Sequence, residues 1–103
     1  MKKVIDGILY NTETATKIAK KSNGLSTSDF YFIREVIYQT RKERYFLFCE
    51  GGAATQYADK SDGCLNSGET IIPLSEDDAY EMLQDWDEVD LIESLFPDRI
   101  EEA

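Results

Sequence analysis

The 103-residue sequence predicts an α+β protein in which an antiparallel sheet of four to five strands carries a C-terminal helical segment packed on one face. Short runs rich in aromatic and β-branched residues fill the first half, polar turn signals separate them, and helical apolar periodicity begins only near residue 75. We expect one domain: a β-rich basic half at 1–50, a Gly-rich loop at 51–69, and a short strand with an acidic helical segment at 70–103.

The first predicted element is a hairpin over residues 2–11, KKVIDGILYN. Asp6-Gly7 lies between two apolar pairs, and Asp-Gly is a strong signal for a type I′ turn, whose two central residues both need positive φ. The next segment, 12–22, leaves helix and strand open. Its apolar spacing fits a helix, whereas its three threonines at the start favour a strand.

The central part of the chain predicts a long antiparallel hairpin. Residues 29–40 and 44–50 are rich in aromatic and β-branched side chains, and a polar turn at 41–43 separates them. Because side chains alternate along a strand, Val36 and Ile37 are expected on opposite faces of the sheet.

A glycine pair follows this hairpin. Gly51-Gly52 belongs to neither the GxxxxGK[ST] nor the GxGxxG phosphate-binding pattern. We therefore expect a sharp turn or bulge there, and then a short strand at 70–72.

The C-terminal segment carries a strong helix-start signal. Ser75 is the expected N-cap, and the three acidic residues after it occupy the first turn, where the positive end of the helix dipole stabilises carboxylates. The apolar pattern then continues to Phe96, either in one long helix or with a second short helix capped at Asp87, and Pro97 ends it. The apolar side chains at helical spacing that are expected to face the core are Ala79, Met82, Leu83 and Trp86.

The charge of the chain is unevenly distributed. The formal net charge is −10, but residues 1–49 hold nine basic and five acidic side chains, whereas residues 50–103 hold two basic and sixteen acidic ones. This asymmetry indicates either an acidic surface for a basic partner or internal pairing between the two halves. It argues against direct binding of nucleic acid through its phosphates.

The composition also argues against several other classes of protein. The chain has no histidine, so it lacks the commonest general base and metal ligand, and Cys49 and Cys64 form no CxxC motif. Cys49 alternates with Phe46 and Phe48 and is expected to be an ordinary strand residue. No apolar run approaches the roughly 18 residues of a membrane span. We expect a cytoplasmic, non-enzymatic protein without a metal, a cofactor or a membrane partner.

Carboxylates on the predicted helix are the best candidate site. Their spacing places several of them on one helix face, opposite the apolar stripe. Such a file of negative charges resembles a phosphate backbone and would fit a basic groove. The alternative without a partner is that this acidic helix face is simply solvated, or that it packs beside Lys17, Lys20 and Lys21. The candidate partner-binding residues are Asp77, Glu81, Asp85, Asp87 and Glu88.

Short motifs spread over most of the chain resemble a known family. They are VIDGxLYNTETA from Val4, SDF from Ser28, ExIYxT from Glu35, YFLxxEGGA from Tyr45 and IIPLSxxDA from Ile71. Together they resemble small acidic proteins carried on phages, plasmids and integrative elements of Gram-positive bacteria. The sequence departs from that family in the central hairpin turn, where it carries 42–44, Lys-Glu-Arg.

The resemblance implies a counter-defence function. Small acidic proteins of such elements are frequently anti-CRISPR inhibitors, many of which occupy the nucleic-acid site of their target as DNA mimics. We therefore expect an inhibitor, acting in the cytoplasm of the host bacterium, that binds a basic groove of a CRISPR effector nuclease through its acidic surface. The alternative is an accessory or regulatory protein that binds another mobile-element protein or a second copy of itself as a homodimer.

Overall fold

A four-stranded antiparallel sheet lies between a two-stranded hairpin and a helical layer in the computed structural model, which describes residues 1–60, 63 and 65–103. The predicted α+β class is confirmed. The strands in chain order are β1 (Lys2–Ile5), β2 (Ile8–Asn11), β3 (Thr16–Ser22), β4 (Ile33–Gln39), β5 (Tyr45–Gly51) and β6 (Gly68–Leu74). The helices are α1 (Glu76–Asp85), α2 (Val89–Leu95) and a short 3₁₀ helix, Pro97–Arg99.

The β1–β2 hairpin turns as its sequence predicts. Asp6 has φ of 51° and Gly7 has φ of 78°, which are the two positive values that a type I′ turn requires. The segment whose structure the sequence left open is a turn followed by strand β3. Strand β3 forms one edge of the sheet, in the order β3-β4-β5-β6. Its exposed Lys17, Lys20 and Lys21 discourage edge-to-edge pairing with other chains.

The sheet is covered on both faces. Ile37, Leu47 and Cys49 point toward the helices and pack with Ala79 and Leu83 of α1. Cys49 therefore lies on the opposite face from Phe46 and Phe48, as its alternation predicts.

The other face packs against the β1–β2 hairpin. Phe46 stacks on Tyr38 with ring centroids 5.0 Å apart, and Tyr10 of β2 meets Phe46 edge-on at 5.5 Å. Val36 belongs to this second core, so it lies opposite Ile37 as expected. Because both faces of β5 are covered, five consecutive residues from Tyr45 to Cys49 are buried.

Strand β6 is longer than the sequence predicts. It begins at Gly68 rather than at residue 70, because Gly68 and Glu69 continue the ladder opposite Gly51 and Glu50. It also continues through Pro73. An edge strand tolerates proline because the N–H that proline lacks is not needed on the open side of the strand. The predicted loop at 51–69 is therefore shorter, and its residues 61, 62 and 64 lie outside the described part of the chain.

The glycine pair after β5 forms a close backbone approach. Gly52 donates from its backbone N to the carbonyl oxygen of Phe32 at 2.8 Å. A Cβ at Gly52 would collide with the carbonyl oxygens of Asp29 and Phe30. The sharp turn expected there is confirmed, and it has a steric reason that only glycine satisfies.

Candidate protein-binding surface

The start of α1 is fixed by a capping box. The Ser75 hydroxyl accepts a hydrogen bond from the backbone N of Asp78 at 3.0 Å, and the Asp78 carboxylate accepts one from the backbone N of Ser75 at 3.2 Å. The predicted N-cap is confirmed, and Glu76, Asp77 and Asp78 occupy the first turn. The cap sets the phase of the helix and hence the face on which each later carboxylate lies.

The buried stripe of α1 determines which acids face solvent. Ala79 and Leu83 are completely buried against the sheet, and Trp86 is half-buried beside them. Glu81 and Asp85 lie on the opposite side of the helix and are exposed. Their separation of four residues corresponds to a rise of about 6 Å along the axis.

The chain turns between α1 and α2 through a Schellman motif. The backbone N of Glu88 donates to the carbonyl of Leu83 at 3.0 Å, and the backbone N of Asp87 donates to the carbonyl of Gln84 at 3.1 Å. Asp87 therefore holds the left-handed position after the helix, with φ of 55°.

The apolar pattern after Ser75 forms two α-helices, α1 and α2, rather than one long helix, and the prediction that Asp87 caps the second one is wrong. Asp87 closes the end of α1, and Glu88 is the N-cap of α2, without a side-chain cap hydrogen bond. The reason is the left-handed turn at Asp87, because an N-cap residue has an extended backbone rather than positive φ.

Asp77 differs from the other candidate acids because it has an intramolecular partner. Its carboxylate lies 2.7 Å from the guanidinium of Arg99, which also lies 3.6 Å from Glu76. The Arg99 guanidinium stacks over the rings of Tyr80 and Phe96, at 5.2 and 5.8 Å from their centroids. The hydrogen bond to Asp77 raises the pKa of Arg99. Asp77 therefore anchors the C-terminal segment as well as adding charge.

The remaining four candidate acids form what we call the acidic surface, Glu81, Asp85, Asp87 and Glu88. Within residues 1–60, 63 and 65–103, their carboxylates make no ion pair or hydrogen bond. Over the same residues the β3 lysines form no ion pair with them either. Pairing between the acidic helix and these lysines, the alternative that the sequence left open, does not occur there.

The acidic surface is placed where it costs stability. Glu81 and Asp85 are like charges at (i, i+4), which destabilise a helix by roughly 0.2–0.5 kcal/mol. Asp85 also lies in the last turn of α1, where no basic residue stands and where the helix dipole disfavours a carboxylate. At Asp87 and Glu88 the end of one helix meets the start of the next, so the two dipoles oppose each other. Glu81 and Asp85 therefore have no evident stabilising role.

A partly buried polar pair lies on the helix-facing side of the sheet. The hydroxyl of Tyr57 donates to the Glu35 carboxylate at 2.8 Å, beside the fully buried thiol of Cys49. Burial raises the pKa of Cys49 to about 11 and also raises the pKa of Tyr57. The Cys49 thiol is therefore protonated at neutral pH, which is unfavourable for a nucleophile. The positions of Glu35, Cys49 and Tyr57 in the sequence do not predict that these residues lie close together.

Over the described residues, no group of three or more Cys, Asp or Glu side chains is arranged to hold a metal ion. Of the helices in the same residues, none is long and apolar enough to cross a membrane.

Comparison with protein-family models, with curated proteins and with solved structures found no match to this chain. The resemblance to mobile-element proteins therefore stays a prediction from the sequence motifs.

Proposed function

We propose that this protein is a non-catalytic inhibitor whose acidic surface occupies a basic, nucleic-acid-binding groove of a CRISPR effector nuclease. The observation that supports this proposal is a group of four carboxylates, in the second half of α1 and in the turn to α2, that form no ion pair among the described residues. They carry four negative charges over little more than two helical turns. A groove lined by Lys and Arg, built to neutralise phosphates, would neutralise them equally well.

The energetic argument supports a binding role for these acids. Like-charge spacing and an unfavourable helix end lower the stability of the free protein. A residue that costs stability without a structural role is typical of a functional site, where strain is offset by binding. Asp87, which closes the end of α1, carries backbone strain as well, because its left-handed conformation would suit glycine better.

The nature of the partner follows from charge and from the resemblance. A net charge of −10 steers the protein toward a strongly basic surface and speeds its association at low salt. The CRISPR effector nuclease as the target class rests on the sequence motifs alone. Location in the host cytoplasm follows from the same proposal, because the effector acts there.

The test is inhibition of DNA cleavage by a panel of purified single-protein CRISPR effector nucleases. The test variant replaces three members of the acidic surface, Glu81→Gln, Asp85→Asn and Glu88→Gln. The control variant, Glu13→Gln, Glu101→Gln and Glu102→Gln, changes the net charge equally at exposed positions outside α1 and α2. We expect the wild type and the control to inhibit at least one nuclease. We expect the test variant to inhibit that nuclease at least about tenfold less strongly.

Two results would contradict the proposal. If no nuclease in the panel is inhibited, the target class is wrong. If the control loses as much inhibition as the test variant, net charge rather than the acidic surface is responsible. Sedimentation at low and high salt tests the alternative, because a homodimer held by opposite charges would dissociate as salt rises.

A further inference from the structure

A basic groove lies on the side of the sheet opposite the acidic surface. It is formed between the β1–β2 hairpin and the turn that joins β4 to β5, and it has a volume of about 450 Å³. One wall is cationic and consists of Arg41, Lys42 and Arg44. Among the residues that the structure describes, no carboxylate lines the groove. It is therefore a concentration of positive charge on a protein whose net charge is strongly negative.

The backbone of the turn is held firmly. Two hydrogen bonds join Thr40 and Arg44. The backbone N of Thr40 donates to the Arg44 carbonyl at 2.8 Å, and the backbone N of Arg44 donates to the Thr40 hydroxyl at 3.1 Å. Glu43 donates from its backbone N to the Thr40 carbonyl at 2.9 Å and takes a positive φ of 61°. The turn is therefore tight even though it lacks glycine. The cations are attached to a backbone that a ligand need not order.

The cations of the groove have no internal partner. Over residues 1–60, 63 and 65–103, neither Arg41 nor Lys42 nor Arg44 forms an ion pair. The other two arginines are both paired, Arg34 with Glu50 at 2.6 Å and Arg99 with Asp77.

The neutral polar groups of the groove supply further donors. The Thr40 hydroxyl accepts from Arg44 N, so its own hydrogen is available to donate. The Asn11 Oδ1 accepts from the backbone N of Glu13 at 3.0 Å, which leaves the Asn11 amide nitrogen as the donor. Positively charged groups and hydrogen-bond donors of this kind, with no carboxylate lining the groove among the described residues, suit an anion.

We propose that this groove binds the phosphate groups of a nucleotide-sized small molecule. Two guanidinium groups offer the planar, two-pronged geometry that matches phosphate oxygens. The volume lies within the roughly 300–1,000 Å³ of typical small-molecule sites. Leu9, which is exposed, lines the groove and provides an apolar wall for a base. A long polyanion is a poorer ligand, because the net charge of the whole protein repels it.

The experiment is calorimetric titration of the full-length protein with inorganic pyrophosphate and with adenosine diphosphate at low salt. The test variant is Arg41→Gln with Arg44→Gln. The matched control is Lys20→Gln with Lys21→Gln on β3, which removes the same charge away from the groove. We expect saturable binding to one site, about tenfold weaker or worse in the test variant and unchanged in the control, since charge-assisted contacts dominate. Adenosine diphosphate is expected to bind more tightly than pyrophosphate because of the apolar wall.

Three outcomes would overturn the proposal: no saturable binding to either probe, equal loss in both variants, or self-association that only the test variant abolishes. The last outcome would assign the groove to the acidic surface of a second copy instead. If the test variant does not fold, amide chemical shifts of the wild-type protein decide the question. Shifts on adding pyrophosphate confined to 7–14 and 40–44 support the site, and shifts spread over all lysine-bearing segments contradict it.

Discussion

Replacing Asp85 by Asn is expected to stabilise the free protein while it weakens partner binding. Asp85 is exposed, has no partner among the described residues, and lies in the last turn of α1. The substitution keeps the shape of the side chain, and Asn and Asp have nearly equal helix propensity. The change in stability therefore reports on charge.

The magnitude follows from two local terms. Loss of the like-charge pair with Glu81 stabilises the folded protein by roughly 0.2–0.5 kcal/mol. Loss of the unfavourable contact with the helix dipole returns roughly 0.3–1 kcal/mol. Together they raise the free energy of unfolding by about 0.5–1.5 kcal/mol, which corresponds to a Tm about 2–12 °C higher for a domain of this size.

The assay is thermal unfolding followed by circular dichroism at low ionic strength, repeated at about 1 M salt, where the Debye length falls to about 3 Å. Glu13→Gln is the control, because it makes the same change in net charge at an exposed turn outside the helices. We expect Asp85→Asn to exceed this control at low salt and to lose its advantage at high salt. An Asp85→Asn protein no more stable than the control would refute the reasoning, because Asp85 would then have a stabilising role.

Three further predictions concern other parts of the fold. Ser75→Ala removes the N-cap of α1 and is expected to lower the free energy of unfolding in urea by about 1 kcal/mol; an unchanged value would contradict the capping role. Asp87→Gly relieves the left-handed backbone and is expected to raise Tm, with a gain of about 1 kcal/mol, so a fall in Tm would contradict the strain at this residue. Because the pKa of Cys49 is raised from 9.0 to about 11, stability is fully present below pH 9 and is expected to fall between pH 9 and pH 11. Thermal unfolding across that range checks it, and a slope as steep in Cys49→Ala would rule out the thiol as a cause.

Local signals allowed much of the fold to be predicted from sequence. Asp6-Gly7 and the Ser75 cap act through their own backbone, so the structure forms the turn and the helix start where the residues indicate. The alternation of Val36 and Ile37 is equally local, and the two cores confirm it.

Long-range pairing explains what the sequence did not predict. The length of β6, including Pro73, is decided by its partner strand β5, which short-range signals do not describe. The ion pair between Arg99 and Asp77 depends on the 3₁₀ turn that brings the C-terminal segment back to the start of α1. Its only signal in the sequence is that Arg99 is the single basic residue after position 60.

The sequence predicts which face of α1 carries the candidate acids, but it does not predict which of them form an ion pair. The apolar stripe alone indicates that Glu81 and Asp85 lie opposite the core, and both are exposed. Helical spacing did not reveal that Asp77 is tied to Arg99, nor that Asp87 ends α1 in a left-handed conformation. These features depend on tertiary contacts and on a helix end whose position the sequence left open.

The most direct test of the central claim is a competition measurement on a CRISPR effector nuclease that the protein inhibits. Binding of the labelled wild-type protein to the nuclease is measured while unlabelled guide RNA or target DNA is added. If the acidic surface occupies the nucleic-acid groove, nucleic acid displaces the protein. The Glu81→Gln, Asp85→Asn, Glu88→Gln variant, which is expected to bind about tenfold more weakly, is then displaced at a correspondingly lower nucleic-acid concentration. A stable complex that holds the nuclease, the nucleic acid and this protein together, with no displacement at saturation, would contradict the account.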